Sequence, residues 1–167
     1  HRFLHNSTGH VPDGYYKNAL DGPRVVREGK DVTIVATSHG VLEAMRAADV
    51  LHKIGCSAEV IDMRVLRPLN VAPIVASVRK TGRLVTVDTG FVRFGIGAEI
   101  LASVMTEAFN ALKAAPIRLG LPDHPTPSSR GLIPGFYPDS QRIVREVGKM
   151  LSLDQAKVDS ALKELDI

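Results

Sequence analysis

The sequence is short of the residues that staple or anchor small proteins. It holds one cysteine, Cys56, no tryptophan, and only 5% aromatic residues. A single thiol excludes an intrachain disulfide and fits a reducing compartment. Charge of one sign is scarce too. The 21 lysines and arginines nearly balance the 18 aspartates and glutamates, and the net excess of +3 is not gathered into a basic run. Nucleic acid is therefore not an expected partner. The apolar runs are too short to span a bilayer, which argues against a membrane location. The first residues read as neither a signal peptide nor an amphipathic transit segment. No initiating methionine is present, and the polar opening at His1 looks like the cut edge of a longer protein, as a trimmed tag also would.

What remains is a chain of 167 residues, long enough for one domain with a full core. Alanine, valine, isoleucine and leucine dominate, a composition that suits helices packed on a buried sheet. Residues 1–23 lack periodicity and carry Gly9, Pro12, Gly14, Gly22 and Pro23, so they read as an extended arm. Asp13, Tyr15 and Tyr16 suggest that this arm rests on another surface. Residues 24–27 (RVVR) and 32–37 (VTIVAT) flank Glu28-Gly29-Lys30-Asp31, which predicts a hairpin with a short charged edge strand. Val41, Met45, Ala48 and Leu51 then fall on one face of a helix reaching Ile54, with Gly55 as its stop.

Strands follow at 58–63, 83–88 and 116–121, with helices at 72–81 and 95–113 between them. Gly97, Leu101, Val104, Ala108 and Leu112 form the inner face of the second helix. Buried strands joined through helices require parallel neighbours, because a tight hairpin cannot connect them. Five of the ten prolines sit in a loop at 122–138. Asp139 caps a helix to 150 or 151, and Ser152 with Gln155 matches a capping box for a terminal helix striped by Val158, Ala161, Leu162 and Leu165. The expected fold is a three-layer α/β/α sandwich, its five-stranded sheet mostly parallel with one antiparallel edge strand.

In such a sheet a ligand site lies beyond the carboxyl ends of the strands. Ser38, His39, Arg64, Asp88 and Thr89 fall there, with Pro122, Asp123 and His124 after the last strand. Ser38, His39 and Asp88 can be written as a hydrolytic set. However, Ser38 and His39 are adjacent and no G-x-S-x-G elbow exposes the serine, so a helix N-cap explains Ser38 better. Gly95-Ile96-Gly97 begins like a dinucleotide loop, but Ile100 replaces the third glycine and the segment lies several residues past its strand. Close packing at a helix start is the better reading. His1 and His5 alone share an H-x-x-x-H spacing, in an arm with no helix to align them, so no metal site is expected. Cys56 reads as a small buried hydrophobe. Arg64 and Arg67 flank an exposed turn and could hold a carboxylate of another subunit. No catalytic, cofactor-binding or metal-binding residue is assigned.

The segments 24–37 (RVVREGKDVTIVAT), 59–69 (EVIDMRVLRPL), 77–85 (SVRKTGRLV), 97–101 (GAEIL) and 115–118 (APIR) carry a resemblance over about 24–151. In their order and spacing they resemble the C-terminal domain of transketolase-like, thiamine-diphosphate-dependent enzymes. Within that family they are most similar to the β subunit of 2-oxo-acid dehydrogenase E1 of the pyruvate, branched-chain or acetoin type. Residues 1–4 (HRFL) and 11–16 (VPDGYY) resemble the crossover leaving the family's pyrimidine-binding domain.

The resemblance implies three parts: 1–23 an entry arm from a missing upstream domain, 24–151 the transketolase C-terminal-like domain, and 152–167 a terminal extension expected to be loosely attached. It implies a noncatalytic assembly domain. Thiamine diphosphate and Mg²⁺ would belong to the parent enzyme and not to this fragment. The implied partners are an E1 α subunit, a second β subunit and the E2 acyltransferase, with a homodimer or heterotetramer as the parent assembly. The implied location is the bacterial cytoplasm or, in a eukaryote, the mitochondrial matrix. Candidate contact residues are Arg64, Arg67, Asp88, Arg93, Gly95 and Gly97. A sugar transketolase domain and a free-standing flavodoxin-like module are the alternatives. Asp88-Thr89-Gly90 replaces a common His-Glu-Ala, Asn70 a usual Asp, and His39 a common aromatic.

Overall fold

A computed structural model describes residues 8–164; the expectations for His1, His5 and Leu165 lie outside the described residues. Five strands form one sheet: β1 (Arg24–Arg27), β2 (Val32–Ala36), β3 (Ala58–Asp62), β4 (Leu84–Phe91) and β5 (Ile117–Leu121), in the order β1-β3-β2-β4-β5. All neighbours run parallel except β1, which is antiparallel to β3. Two helices, α1 (His39–Lys53) and α2 (Ala72–Thr81), follow β2 and β3, and α3 (Ile96–Ala108) follows β4. The chain closes with α4 (Ser140–Met150) and α5 (Gln155–Lys163).

Alternation along the strands builds two cores. Val32, Ile34, Ala36, Ala58, Val60, Val85 and Val87 point toward α1, α4 and α5. On the opposite face Val35, Ile61 and Leu84 pack with Ile74, Val78, Ile100 and Val104 from α2 and α3. Each such isoleucine or leucine, fully withdrawn from water, contributes on the order of 2 kcal/mol. Thr33, buried on β2, is paired with α2. Thr33 Oγ1 lies 2.6 Å from Ser77 Oγ and 2.7 Å from Thr81 Oγ1, which joins β2 to α2.

Residues 24–37 do not form a hairpin. β1 and β2 flank β3 instead of pairing with each other. The intervening turn crosses beneath the start of β3, so closely that a Cβ on Gly29 would stand 2.1 Å from the Glu59 amide nitrogen. Glycine is required there by contact with a strand distant in sequence, not by turn chemistry. The face of α1 is also rotated from its expected stripe. Gly40, Glu43, Ala44, Ala47, Ala48, Val50 and Leu51 are buried, whereas Val41 and Met45 are only half-buried. Because α1 is covered by the sheet below and by α4 beside it, small residues win the tightest contacts. The helix ends in a Schellman motif: Gly55, at φ 85°, donates to the His52 carbonyl, and the Cys56 amide donates to that of Leu51.

The capping box at the last helix is not formed. Asp154 caps α5, its carboxylate accepting from the Ala156 amide at 2.9 Å. Nor is α5 loosely attached. Val158, Ala161 and Leu162 are buried against α1 and α4, and Lys53–Glu164 and Arg145–Asp159 ion pairs, at 2.8 and 2.9 Å, tie down its C-terminal end and its middle. No helix among the described residues is long and apolar enough to cross a membrane.

Candidate functional site

At the carboxyl ends of the strands the hydrolytic set is not assembled. Ser38 holds the N-cap position of α1 with φ 50° and ψ −126°, but its hydroxyl makes no capping bond. Asp88 is engaged by its neighbour in space, Thr37, whose hydroxyl donates to Asp88 Oδ1 at 2.6 Å. His39 Nε2 lies 3.9 Å from Glu43 Oε1. These contacts brace the turn between β2 and α1. Gly95 and Gly97 behave as packing residues. A Cβ on Gly95 would come within 2.1 Å of the Phe91 carbonyl oxygen, and one on Gly97 within 2.6 Å of Thr86 Oγ1. The start of α3 is thus pressed onto β4, which leaves no cradle there for a diphosphate. Among the described residues no group of three or more His, Cys, Asp or Glu could hold a metal ion.

Two buried carboxylates escaped the sequence reading. Glu43, only 6% exposed, accepts from the Ser140 amide at 2.9 Å and from Arg46 at 2.8 Å, fastening α4 to α1. Glu59, 2% exposed, is bound by Lys80 Nζ and by the Gly29 amide. Burial pushes the Glu59 carboxyl up, but bonds from Lys80, Ser77 and Gly29 outweigh it and hold the group below the usual range. The same partner holds the Lys80 ammonium above its usual range. Burial raises the Cys56 thiol to about 12, so it is an inert core residue.

What the domain presents outward is a set of exposed basic and apolar side chains. Arg64, Leu66 and Arg67 are exposed on the turn after β3. Next to it, Asn70 Oδ1 accepts from the Ala72 amide at 3.1 Å, serving α2 as an aspartate would. The arm ends against this turn: a Cβ on Gly22 would be 3.1 Å from Asn70 Cβ. Before that, Val11, Tyr15, Tyr16 and Leu20 are exposed. In the loop between β4 and α3, Arg93 lies 3.5 Å from Asp123, and Phe94, with φ 57°, is fully exposed.

α3 differs from the other helices in being apolar on two sides. Gly97, Ile100, Val104 and Ala108 are buried against the sheet and α2. Ala98, Ala102, Met105 and Phe109 continue the spacing of Phe94 along a half-buried to exposed face. That face runs into a groove of about 510 Å³ lined by Met105, Phe109, Leu112 and Pro116. Glu99, Thr106 and Glu107 are exposed between these two sides, so α3 carries a second apolar stripe beside a polar one.

The sequence matches the family described as Transketolase, C-terminal domain, over residues 23–143. It is 50% identical over 135 residues to the β subunit of the mitochondrial pyruvate dehydrogenase E1 component of Pisum sativum, covering 81% of this chain and 38% of that protein. The counterpart in Saccharomyces cerevisiae is 42% identical over 133 residues, covering 78% of this chain and 36% of the relative. The acetoin:2,6-dichlorophenolindophenol oxidoreductase subunit beta of Cupriavidus necator is 39% identical over 152 residues, covering 90% and 45%. This chain therefore spans less than half the length of these relatives. Among solved structures, a split-gene transketolase in an inactive β4 tetramer superposes with a TM-score of 0.70 at 31% identity, covering 86% of this chain and 47% of that one.

Proposed function

The chain belongs to the transketolase C-terminal domain family, and from that premise we propose that it is the assembly domain of a 2-oxo-acid dehydrogenase E1 β subunit. The observation that carries this reading is the apolar stripe of Ala98, Ala102, Met105 and Phe109 on the outer side of α3, in a domain where, among the described residues, no three His, Cys, Asp or Glu group as metal ligands. On this reading the domain holds a second β subunit, an E1 α subunit and the E2 acyltransferase in register. The parent enzyme decarboxylates a 2-oxo acid oxidatively and passes the acyl group to a lipoyl group of the acyltransferase. Thiamine diphosphate and Mg²⁺ belong to residues outside this chain. Arg64, Arg67 and Arg93 are the cations it offers to partner carboxylates, and Asp88, Gly95 and Gly97 shape the turns that present them. The parent works in the cytoplasm of a bacterium or in the mitochondrial matrix of a eukaryote.

A sugar transketolase is the second reading, supported by the likeness to the split-gene transketolase. The higher identity to E1 β subunits favours the dehydrogenase. The flavodoxin-like module draws no support from the short turn at Thr37–Gly40. To test the proposal, the tagged chain is co-expressed with its upstream pyrimidine-binding portion and an E1 α subunit, and oxidation of 2-oxo acids is assayed. Co-purification with activity is the expected result, while titration calorimetry of the chain alone with thiamine diphosphate and Mg²⁺ gives no heat. Tight binding by the lone chain, or an upstream coding region without a pyrimidine-type domain, would overturn it.

A further inference from the structure

We infer that α5 is a releasable strap: it lifts from the seam between α1 and α4 as one unit while the five-stranded sandwich stays folded, and two ion pairs latch it down. The matched family segment ends at residue 143 and includes all five strands, so α5 is laid on a sheet that is complete without it. Among the described residues, the backbone of 154–163 makes its hydrogen bonds within the helix and its own cap. Side chains alone hold it to the rest of the chain.

Those side chains are few. Of the nine residues of α5, Val158, Ala161 and Leu162 are buried. A cleft of about 380 Å³ lies between α5 and the end of α1, lined in part by Lys53 and Ile54. Another of about 350 Å³ lies between α5 and α4, beside Gln141 and Arg145. The helix therefore sits on a narrow line of contact with open space on both flanks. A helix this short is not stable alone in water, where even roughly 12–15 residues are marginal. Lifting and unwinding are thus a single event, of the local kind that costs less than unfolding the whole domain.

The turn sets where the strap begins. The Ser152 and Leu153 amides donate to the Lys149 and Gly148 carbonyls, at 3.1 and 2.9 Å, so the turn belongs to α4. Ser152 holds a left-handed backbone there, φ 53°. The strap starts at Asp154, whose carboxylate caps α5 itself. Both latches lie in water. Lys53 reaches Glu164 from α1 and Arg145 reaches Asp159 from α4, and all four side chains are about half exposed or more. Pairs of this kind are individually weak and fade with salt. A Cβ on Gly148 would stand 3.1 Å from Val158 Cγ2, so α5 is what covers this stretch of α4. Lifting the strap bares Gly148 and the flank of Ile54, which gives the layer an apolar seam that rising ionic strength uncovers.

Hydrogen exchange of the 167-residue chain tests the strap. The amides of α5 are expected to exchange at least about a hundredfold faster than those of α1, as a low-stability unit does. Sodium chloride at about 1 M, where the screening length is about 3 Å, is expected to speed α5 about threefold relative to α1, the effect of losing two surface pairs. Lys53→Gln combined with Arg145→Gln is expected to give the same threefold at low salt and to remove the salt response. Gly148→Cys combined with Val158→Cys places two thiols within bridging distance, and Cys56 is buried and does not compete. Its oxidised form is expected to slow α5 exchange about tenfold or more, and reduction to restore the rate. Exchange of α5 as slow as that of α1 overturns the strap, because the helix then opens only with the whole domain. Unprotected α5 amides at low salt show that it never closes, and a bridged variant exchanging at the wild-type rate shows that the helix frays in place; either result overturns the strap as well. A rate indifferent to salt and to the paired Lys53→Gln, Arg145→Gln change overturns the ion pairs as its latch.

Discussion

The two faces of the sheet are covered by different kinds of layer. On one, α1, α4 and α5 are amphipathic, their polar sides in water and α5 tied to α1 and α4 by ion pairs. On the other, α2 is amphipathic but α3 presents apolar side chains both inward and outward. The first layer is finished within the chain. The second leaves Phe94 and Phe109 exposed at the two ends of α3. On the proposed assembly reading, one face supplies rigidity and the other supplies contact.

The contrast is broken most sharply by truncating equivalent residues on either side of it. Ile34→Ala in the finished core is expected to cost about 2–5 kcal/mol, whereas Phe109→Ala on the outer face of α3 should stay within about 0.5 kcal/mol for the single chain. Urea unfolding of both variants measures the difference, and equal losses would mean that α3 is already covered. Next in size is the tie between α1 and α4. Glu43→Ala strands the Ser140 amide in a buried place and is expected to cost about 1–3 kcal/mol, read as a lowered urea midpoint with an unchanged slope.

The remaining ways of sharpening the comparison concern the edges. Gly29→Ala pushes a methyl into the backbone of β3, and the expected loss is about 1–3 kcal/mol by overpacking. A smaller effect is pH-dependent. The folded-state carboxyl of Glu59 is held below its ordinary range. Its contribution is therefore present above the unfolded pKa and lost as pH falls through the folded one. Lys80 is raised, so its share is present below the lysine range and lost as pH rises through the raised value. Stability profiles of wild type and Glu59→Gln should converge in acid, and parallel curves there would rule out the pairing as the cause.

Much of this architecture can be read from residue order. Valine and isoleucine alternate at period two in VTIVA and LVTVD, glycines stand at the ends of the first two helices, and Asp139 caps α4 as expected. The partner of β1 could not be read, because RVVR satisfies an edge equally well beside β2 or β3. Nor could the burial of Glu43 and Glu59, since a carboxylate looks solvated until the amide and ammonium that meet it are known.

The candidate surface divides along the same line. Gly97, Arg64 and Arg67 were visible as motif residues, and the family match spans the segments that hold them, over residues 23–143. Phe94 and the outer stripe were not, because an apolar helix in sequence does not say which side the sheet will take. Local chemistry, which acts between residues near in the chain, dictates helices, strands, caps and the alternation that makes a sheet. Which strand sits beside β1, which carboxylates are enclosed and which side of α3 is left open depend on packing among segments far apart in the chain. Close packing has one solution per assembled structure, and no short stretch of sequence contains it.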